Sequence, residues 1–277
     1  MPEVTSYAPG TPSWVDLLTS DPEGARAFYG AMFGWEFVIG GPEYGNYVTC
    51  TLDDRIVAGI AGEPAPEGLP TAWTTYLATP DAAALAQRVT EHGGKLMMEP
   101  LEIPGQGTML VAFDPQGAAF GAWQGGALIG AQVVNEPGAL VWNELATRDL
   151  AGAQAFYSAV VGFGWQPVDS GQAGPPYAMF EVDGKVAGGA FELDEGRGDA
   201  PPHWMTYFEV ADTDAAAASV ERLGGQVISP PRDSAYGRVA VARDPQGGAF
   251  CVIEGSRSSI DGSIDGSSTD GSTTAPS

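Results

Sequence analysis

The sequence predicts an α+β fold of four β-α-β-β-β units, arranged as two tandem domains. Three observations carry this prediction. Ala25-Arg26-Ala27-Phe28-Tyr29 and Phe33-Gly34-Trp35 recur, slightly altered, as Ala153-Gln154-Ala155-Phe156-Tyr157 and Phe163-Gly164-Trp165. Asp114-Pro115-Gln116-Gly117 recurs as Asp244-Pro245-Gln246-Gly247. Within each copy, the order strand, helix and three strands occurs twice. The blocks shift by 128 residues before the helix ends and by 130 after it. That period is too long for a solenoid unit and suits a whole small domain. The expected boundaries are a lead-in at 1–11, a first domain at 12–124, a linker at 125–138, a second domain at 139–255 and a disordered Ser/Gly/Thr/Asp-rich tail at 256–277.

The first unit opens with a strand at 13–18. Asp21-Pro22-Glu23 then starts a helix: Asp caps, Pro suits the first helical position, and Glu faces the positive end of the dipole. Ala25, Phe28, Tyr29 and Met32 share one helical face, and Gly34 ends the helix. Strands follow at 35–39, 47–52 and 56–61, separated by Gly40-Gly41-Pro42 and Asp53-Asp54. The second unit has a strand at 73–78, a helix at 81–92 and strands at 95–98, 108–113 and 119–123. Asp114 to Gly117 is a type I turn. The second domain repeats this order. It has strands at 140–145, 165–168, 177–182, 186–191, 204–210, 226–228, 239–243 and 249–253, and helices at 151–161 and 212–223. Gly59 and the pair Gly188-Gly189 interrupt strands, marking close backbone approach.

Composition narrows the function. Hydrophobic residues make up 44% of the chain, enough to build cores. The net charge of −23 repels phosphate backbones and anionic lipid, so nucleic acid and membrane partners are not expected. No secretory signal is read at the N-terminus, and the two cysteines, Cys50 and Cys251, stand at places that do not correspond in the repeat. They are expected as reduced thiols in a cytoplasmic protein.

The ordered set of Asp-led helix with Phe-Tyr, Gly-Trp exit and closing Asp-Pro-x-Gly turn, present twice, resembles the vicinal oxygen chelate superfamily. That group includes glyoxalase I, bleomycin-resistance proteins and extradiol dioxygenases. The resemblance implies two units curving round a cavity. It also implies a divalent metal held there, typically by two His and one Glu from the first strand of each unit and the final strand. Carried onto this sequence, those positions fall on Trp14, Thr74 and Gly121, and on Trp142, Met205 and Cys251. Of these only Cys251 could bind a soft metal. A register shift of two would bring in Asp16 and Tyr76, or Glu144, His203 and Tyr207. No cofactor is therefore expected and a divalent metal is disfavoured, because a stable site needs three or four placed donors.

Strand alternation sets Asp16 on the face of Trp14, Tyr76 on that of Thr74, Glu144 on that of Trp142, and Tyr207 on that of Met205 and His203. Asp16 and Glu144 are the candidate catalytic carboxylates, as general bases whose pKa burial would raise. A plain structural pairing of acid with hydroxyl is the competing reading. Trp14, Thr74, Tyr76, Trp142, His203, Met205, Tyr207 and Cys251 are the candidate ligand-binding residues. Trp14, Trp73, Trp142 and Trp204 head the unit-starting strands, either as core or as aromatic walls. His92 is expected as a surface residue at a helix end. The expected function is binding of a small aromatic or apolar molecule in metal-free cavities, by a monomer or homodimer. The alternative is an enzyme of the superfamily, cofactor-free through Asp16 or Glu144 or with an atypical metal site.

Overall fold

The computed structural model describes residues 4–168, 175–194 and 200–255. The expected tail at 256–277 and residues 195–199 fall outside the described residues.

The first domain runs β1 (Pro12–Leu18), α1 (Pro22–Phe33), β2 (Glu36–Ile39), β3 (Val48–Leu52), β4 (Arg55–Ile60), β5 (Ala72–Ala78), α2 (Ala82–Glu91), β6 (Lys95–Ile103), β7 (Gly107–Phe113) and β8 (Ala119–Gly125). The second runs β9 (Leu140–Thr147), α3 (Leu150–Val161), β10 (Gly164–Val168), β11 (Tyr177–Val182), β12 (Lys185–Glu192), β13 (His203–Glu209), α4 (Thr213–Arg222), β14 (Gln226–Ser234), β15 (Gly237–Arg243) and β16 (Ala249–Glu254). Each domain forms one eight-stranded sheet, ordered β2-β3-β4-β1-β5-β8-β7-β6 and β10-β11-β12-β9-β13-β16-β15-β14. The two units of a domain meet at antiparallel β1–β5 and β9–β13. No helix among the described residues is long and apolar enough to cross a membrane.

Local chemistry sets the helix ends. Asp21, Asp81, Asp149 and Asp212 each cap a helix by accepting from a backbone N–H three residues on. Gly34 and Gly162 end α1 and α3 in the left-handed region, which a side chain rarely adopts.

Two strands are longer than expected. β6 and β14 continue through Pro100 and through Pro230-Pro231. Both are edge strands, where a missing N–H costs no ladder bond, and both carry register shifts beside the prolines. The sequence reading ended these strands at residues 98 and 228.

The helices lie between the two sheets, and the cores are crossed. One core joins α1, β3 and β4 of the first domain to Phe208, Val220 and Phe250 of the second. The other joins Leu77, Leu85 and Phe120 of the first to Phe156, Tyr157 and Phe180 of the second. Trp73 and Trp204 belong to these seams and are not cavity walls. Trp73 donates to the Tyr29 hydroxyl at 2.9 Å and Trp204 to that of Tyr157 at 3.0 Å. Both tyrosines in turn donate across the domain boundary, Tyr29 to Asp244 and Tyr157 to Asp114. The opposite face of each sheet carries a smaller cluster, Trp14, Tyr76, Trp123 and Ala131 in the first domain and Ala146, Phe191 and Leu193 in the second.

Candidate functional site

The floor on this face of the first sheet is formed where β4, β1, β5 and β8 run side by side. Asp16 stands opposite Thr74 on β5 and beside Gly59 on β4. Trp14 stands opposite Tyr76, and Tyr76 beside Gly121. The hydroxyls of Tyr47 and Tyr76 both donate to one oxygen of Asp16, Oδ2, at 3.1 and 3.2 Å. Trp14 Nε1 donates to the Tyr47 hydroxyl at 3.1 Å. No other donor among the described residues reaches the second oxygen, Oδ1, and Asp16 is only half-buried. Burial pushes the Asp16 carboxyl up to about 7, with the two phenols pulling part of the way back. Burial, with Asp16 adding repulsion, keeps Tyr47 and Tyr76 protonated far above their ordinary range.

Two glycines make room for this cluster. A Cβ on Gly59 would overlap the Tyr47 hydroxyl, and one on Gly121 would overlap the Tyr76 ring. Gly121, expected as a ligand position, instead seats a phenol.

The second domain repeats the arrangement. Tyr207 donates to Glu144 Oε2 at 2.6 Å. Tyr177 hydrogen-bonds to Glu144 and to Trp142, and a Cβ on Gly189 would overlap its hydroxyl. Burial first, and then Glu144, hold Tyr177 and Tyr207 protonated. Met205 stands opposite Glu144, and Tyr207 beside Cys251. Cys251 is a buried free thiol, as is Cys50. His203 stands at the strand start opposite Ala146, with Nδ1 held by the Pro201 carbonyl at 2.8 Å, so it is a rim residue and not part of the acid cluster. The second floor is more open. Trp142 and Tyr207 are half-buried where Trp14 and Tyr76 are buried.

Sequence reasoning missed Tyr47 and Tyr177, which complete both clusters, and Tyr236, raised by burial first and then by the nearby Glu144 charge. A signal existed for the first two. They recur at the 130-residue offset, at or just before the start of the strand partnered with a glycine-bearing strand. The family's ligand positions carry indole, hydroxyl and hydrogen in one domain and indole, thioether and thiol in the other. Among the described residues no three of His, Cys, Asp and Glu gather. These side chains do not fit the three-donor set the family uses.

Residues 11–121 match the Glyoxalase/Bleomycin resistance protein/Dioxygenase superfamily, and residues 141–253 match a glyoxalase-like domain. The chain therefore belongs to that superfamily, as two tandem domains of the vicinal oxygen chelate type. Among its relatives, "Putative glyoxylase CFP32" of Mycobacterium tuberculosis (strain CDC 1551 / Oshkosh) is 43% identical over 261 residues, spanning 92% of this chain and 98% of that protein. The anthracycline biosynthesis protein DauV of Streptomyces sp. (strain C5) is 37% identical over 265 residues, spanning 91% and 95%. Of solved structures, the Mn(II)-bound glyoxalase from Novosphingobium aromaticivorans superposes with a TM-score of 0.65 at 17% identity, covering 90% of this chain and 84% of that one. At that identity the likeness shows the fold alone.

Proposed function

We propose that this face of each sheet binds a small, flat, largely apolar molecule without a divalent ion, and that the acid on the floor reads a polar group on it. The observation that carries this reading is the convergence of two phenols on one oxygen of Asp16. It fixes the Asp16 carboxyl and leaves its other oxygen for a ligand, and a carboxyl held by two phenols recurs at Glu144, bonded by Tyr207 and Tyr177. A carboxyl near neutrality can donate to a ligand carbonyl or accept from a ligand hydroxyl. Trp14 and Trp142 flank the acids with flat apolar surface. The likeness to DauV, an anthracycline biosynthesis protein, supports a polycyclic aromatic ligand class.

The test is a titration with a panel of hydroxylated polycyclic aromatics, followed by tryptophan fluorescence, before and after exhaustive chelation. Saturable binding that survives chelation is expected. Stoichiometric metal in the purified protein, with binding lost on its removal, would overturn the metal-free reading.

A second reading is favoured by the same carboxyl. A base that titrates near neutral pH is well matched to proton abstraction. In that reading an acid moves a proton from a ligand C–H or O–H, and the phenols hold the acid in place.

A further inference from the structure

The first domain's sheet is split at one corner, and the chain fills the split itself. β1 and β4 pair from Asp16 and Gly59 onward. Before that point the two strands part, and the linker lies between them. Ala131 N–H donates to the Ser13 carbonyl at 2.8 Å, and Gln132 N–H to the Ile56 carbonyl at 2.7 Å. The side-chain carbonyl of Gln132 accepts from Ile56 N–H at 2.8 Å. Ala131 and Val133 are buried by the contact.

The second domain has the same split, with a different outcome. β9 and β12 pair from Glu144 and Gly189 onward, the matching places. Val141 and Val186 stand where Ser13 and Ile56 stand, at the repeat offsets of 128 and 130. Between them is a recess of about 460 Å³, bounded by Val141, Trp142, Val186 and Ala187, with Tyr7 and Asn135 on its far wall. No described backbone group bonds to Val186 across it. Val141 and Trp142 are half-buried where Ser13 and Trp14 are buried. Strand edges left without mates are what an added strand satisfies.

We propose that this recess is a strand-addition site for an extended segment of another polypeptide, small and apolar at its outer positions and carrying a glutamine at its centre. The chain supplies the template, because residues 130–134 fill the sibling gap in that register. The glutamine amide would meet the Val186 N–H as Gln132 meets Ile56, and the flanking side chains would cover Val141 and Trp142. This site borders the second acid cluster, with Trp142 common to both, but the strand edge at Val186 stands whether or not Glu144 binds a ligand.

The test uses the full chain and an acetylated, amidated peptide copying residues 130–134. Calorimetry should show one-to-one binding, with slowed deuterium exchange at the Val186 amide. Leucine in place of the peptide's glutamine should weaken binding at least about tenfold, the factor for one lost hydrogen bond. Equal binding of the two peptides, no binding at millimolar peptide, or binding without protection at Val186 overturns the proposal. So does binding that appears only after residues 256–277 are removed, since the chain's own end would then be the occupant.

Discussion

The phenol of Tyr29 on α1 donates a 2.9 Å hydrogen bond to Asp244, 215 residues further along the chain. The helix motif and the turn motif that recur in the sequence are thus the two halves of a contact between domains. Asp244 also organises its own turn, accepting from the N–H groups of Gln246 and Gly248. Tyr157 and Asp114 make the equivalent contact at 3.3 Å.

Tyr29→Phe therefore leaves the Trp73 N–H and one oxygen of Asp244 buried without their partner. A destabilisation of about 1–3 kcal/mol is expected. Urea unfolding should show a lower midpoint with an unchanged slope. Tyr157→Phe should cost a similar amount. The two sites share no partner, so the double variant should show an additive loss.

Stability should fall as pH rises through the titration of Asp16. Its folded-state carboxyl is raised to about 7 from an ordinary 3.8, so between those values the folded chain holds a proton that the unfolded chain has lost. The stabilisation is full below about 4 and is lost as pH approaches 7, at up to about 1.4 kcal/mol per pH unit. Asp16→Asn removes that dependence. The difference in unfolding free energy between the variant and the parent should therefore shift in the variant's favour from pH 4 to pH 7, then level off. A constant difference across that range would contradict the burial described for Asp16.

Gly59→Ala should break the first cluster from behind. The added methyl meets the Tyr47 hydroxyl, and the tyrosine must leave Asp16 or the strands must part. A cost of about 1–3 kcal/mol is expected. In a Tyr47→Ala background the same substitution should cost far less, which a double-mutant cycle reads directly. Gly189→Ala should behave likewise against Tyr177.

The two floors should not contribute equally to ligand binding. Trp142 and Tyr207 are more exposed than Trp14 and Tyr76. Glu144→Gln should therefore weaken binding of a polycyclic aromatic more than Asp16→Asn does, by roughly tenfold for one charge-assisted hydrogen bond. Fluorescence titration of the two variants checks the order. If either substitution abolishes a turnover while binding persists, the proton-transfer reading gains over simple recognition.

Much of this arrangement could be read from residues in line. The repeat, the capping aspartates and the Gly-terminated helices are local signals, and they fixed the order of elements. Asp16 and Glu144 were found because alternation along one strand sets a face. Tyr47 and Tyr177 were not, because their contact with the acids depends on which strand lies next but one. That is a property of sheet order rather than of spacing. Tyr29 and Tyr157 were read as core, which they are. Their hydroxyls, however, answer to aspartates in the opposite domain, and no single-domain pattern could show that. β6 and β14 run on past 98 and 228 through Pro100 and Pro230-Pro231, because a proline at the border of a sheet costs no ladder bond.

The crossed cores have a consequence for what the duplication achieved. A polypeptide ending within residues 125–138 would leave α1 and α2 each with one side bare. Two such half-length chains could complete both cores only by meeting, and would come apart on dilution. Joining the copies end to end makes that encounter intramolecular, so folding no longer depends on how much protein is present. Freed from having to match a twin, the two bowls could drift apart, as Thr74 against Met205 and Gly121 against Cys251 already show.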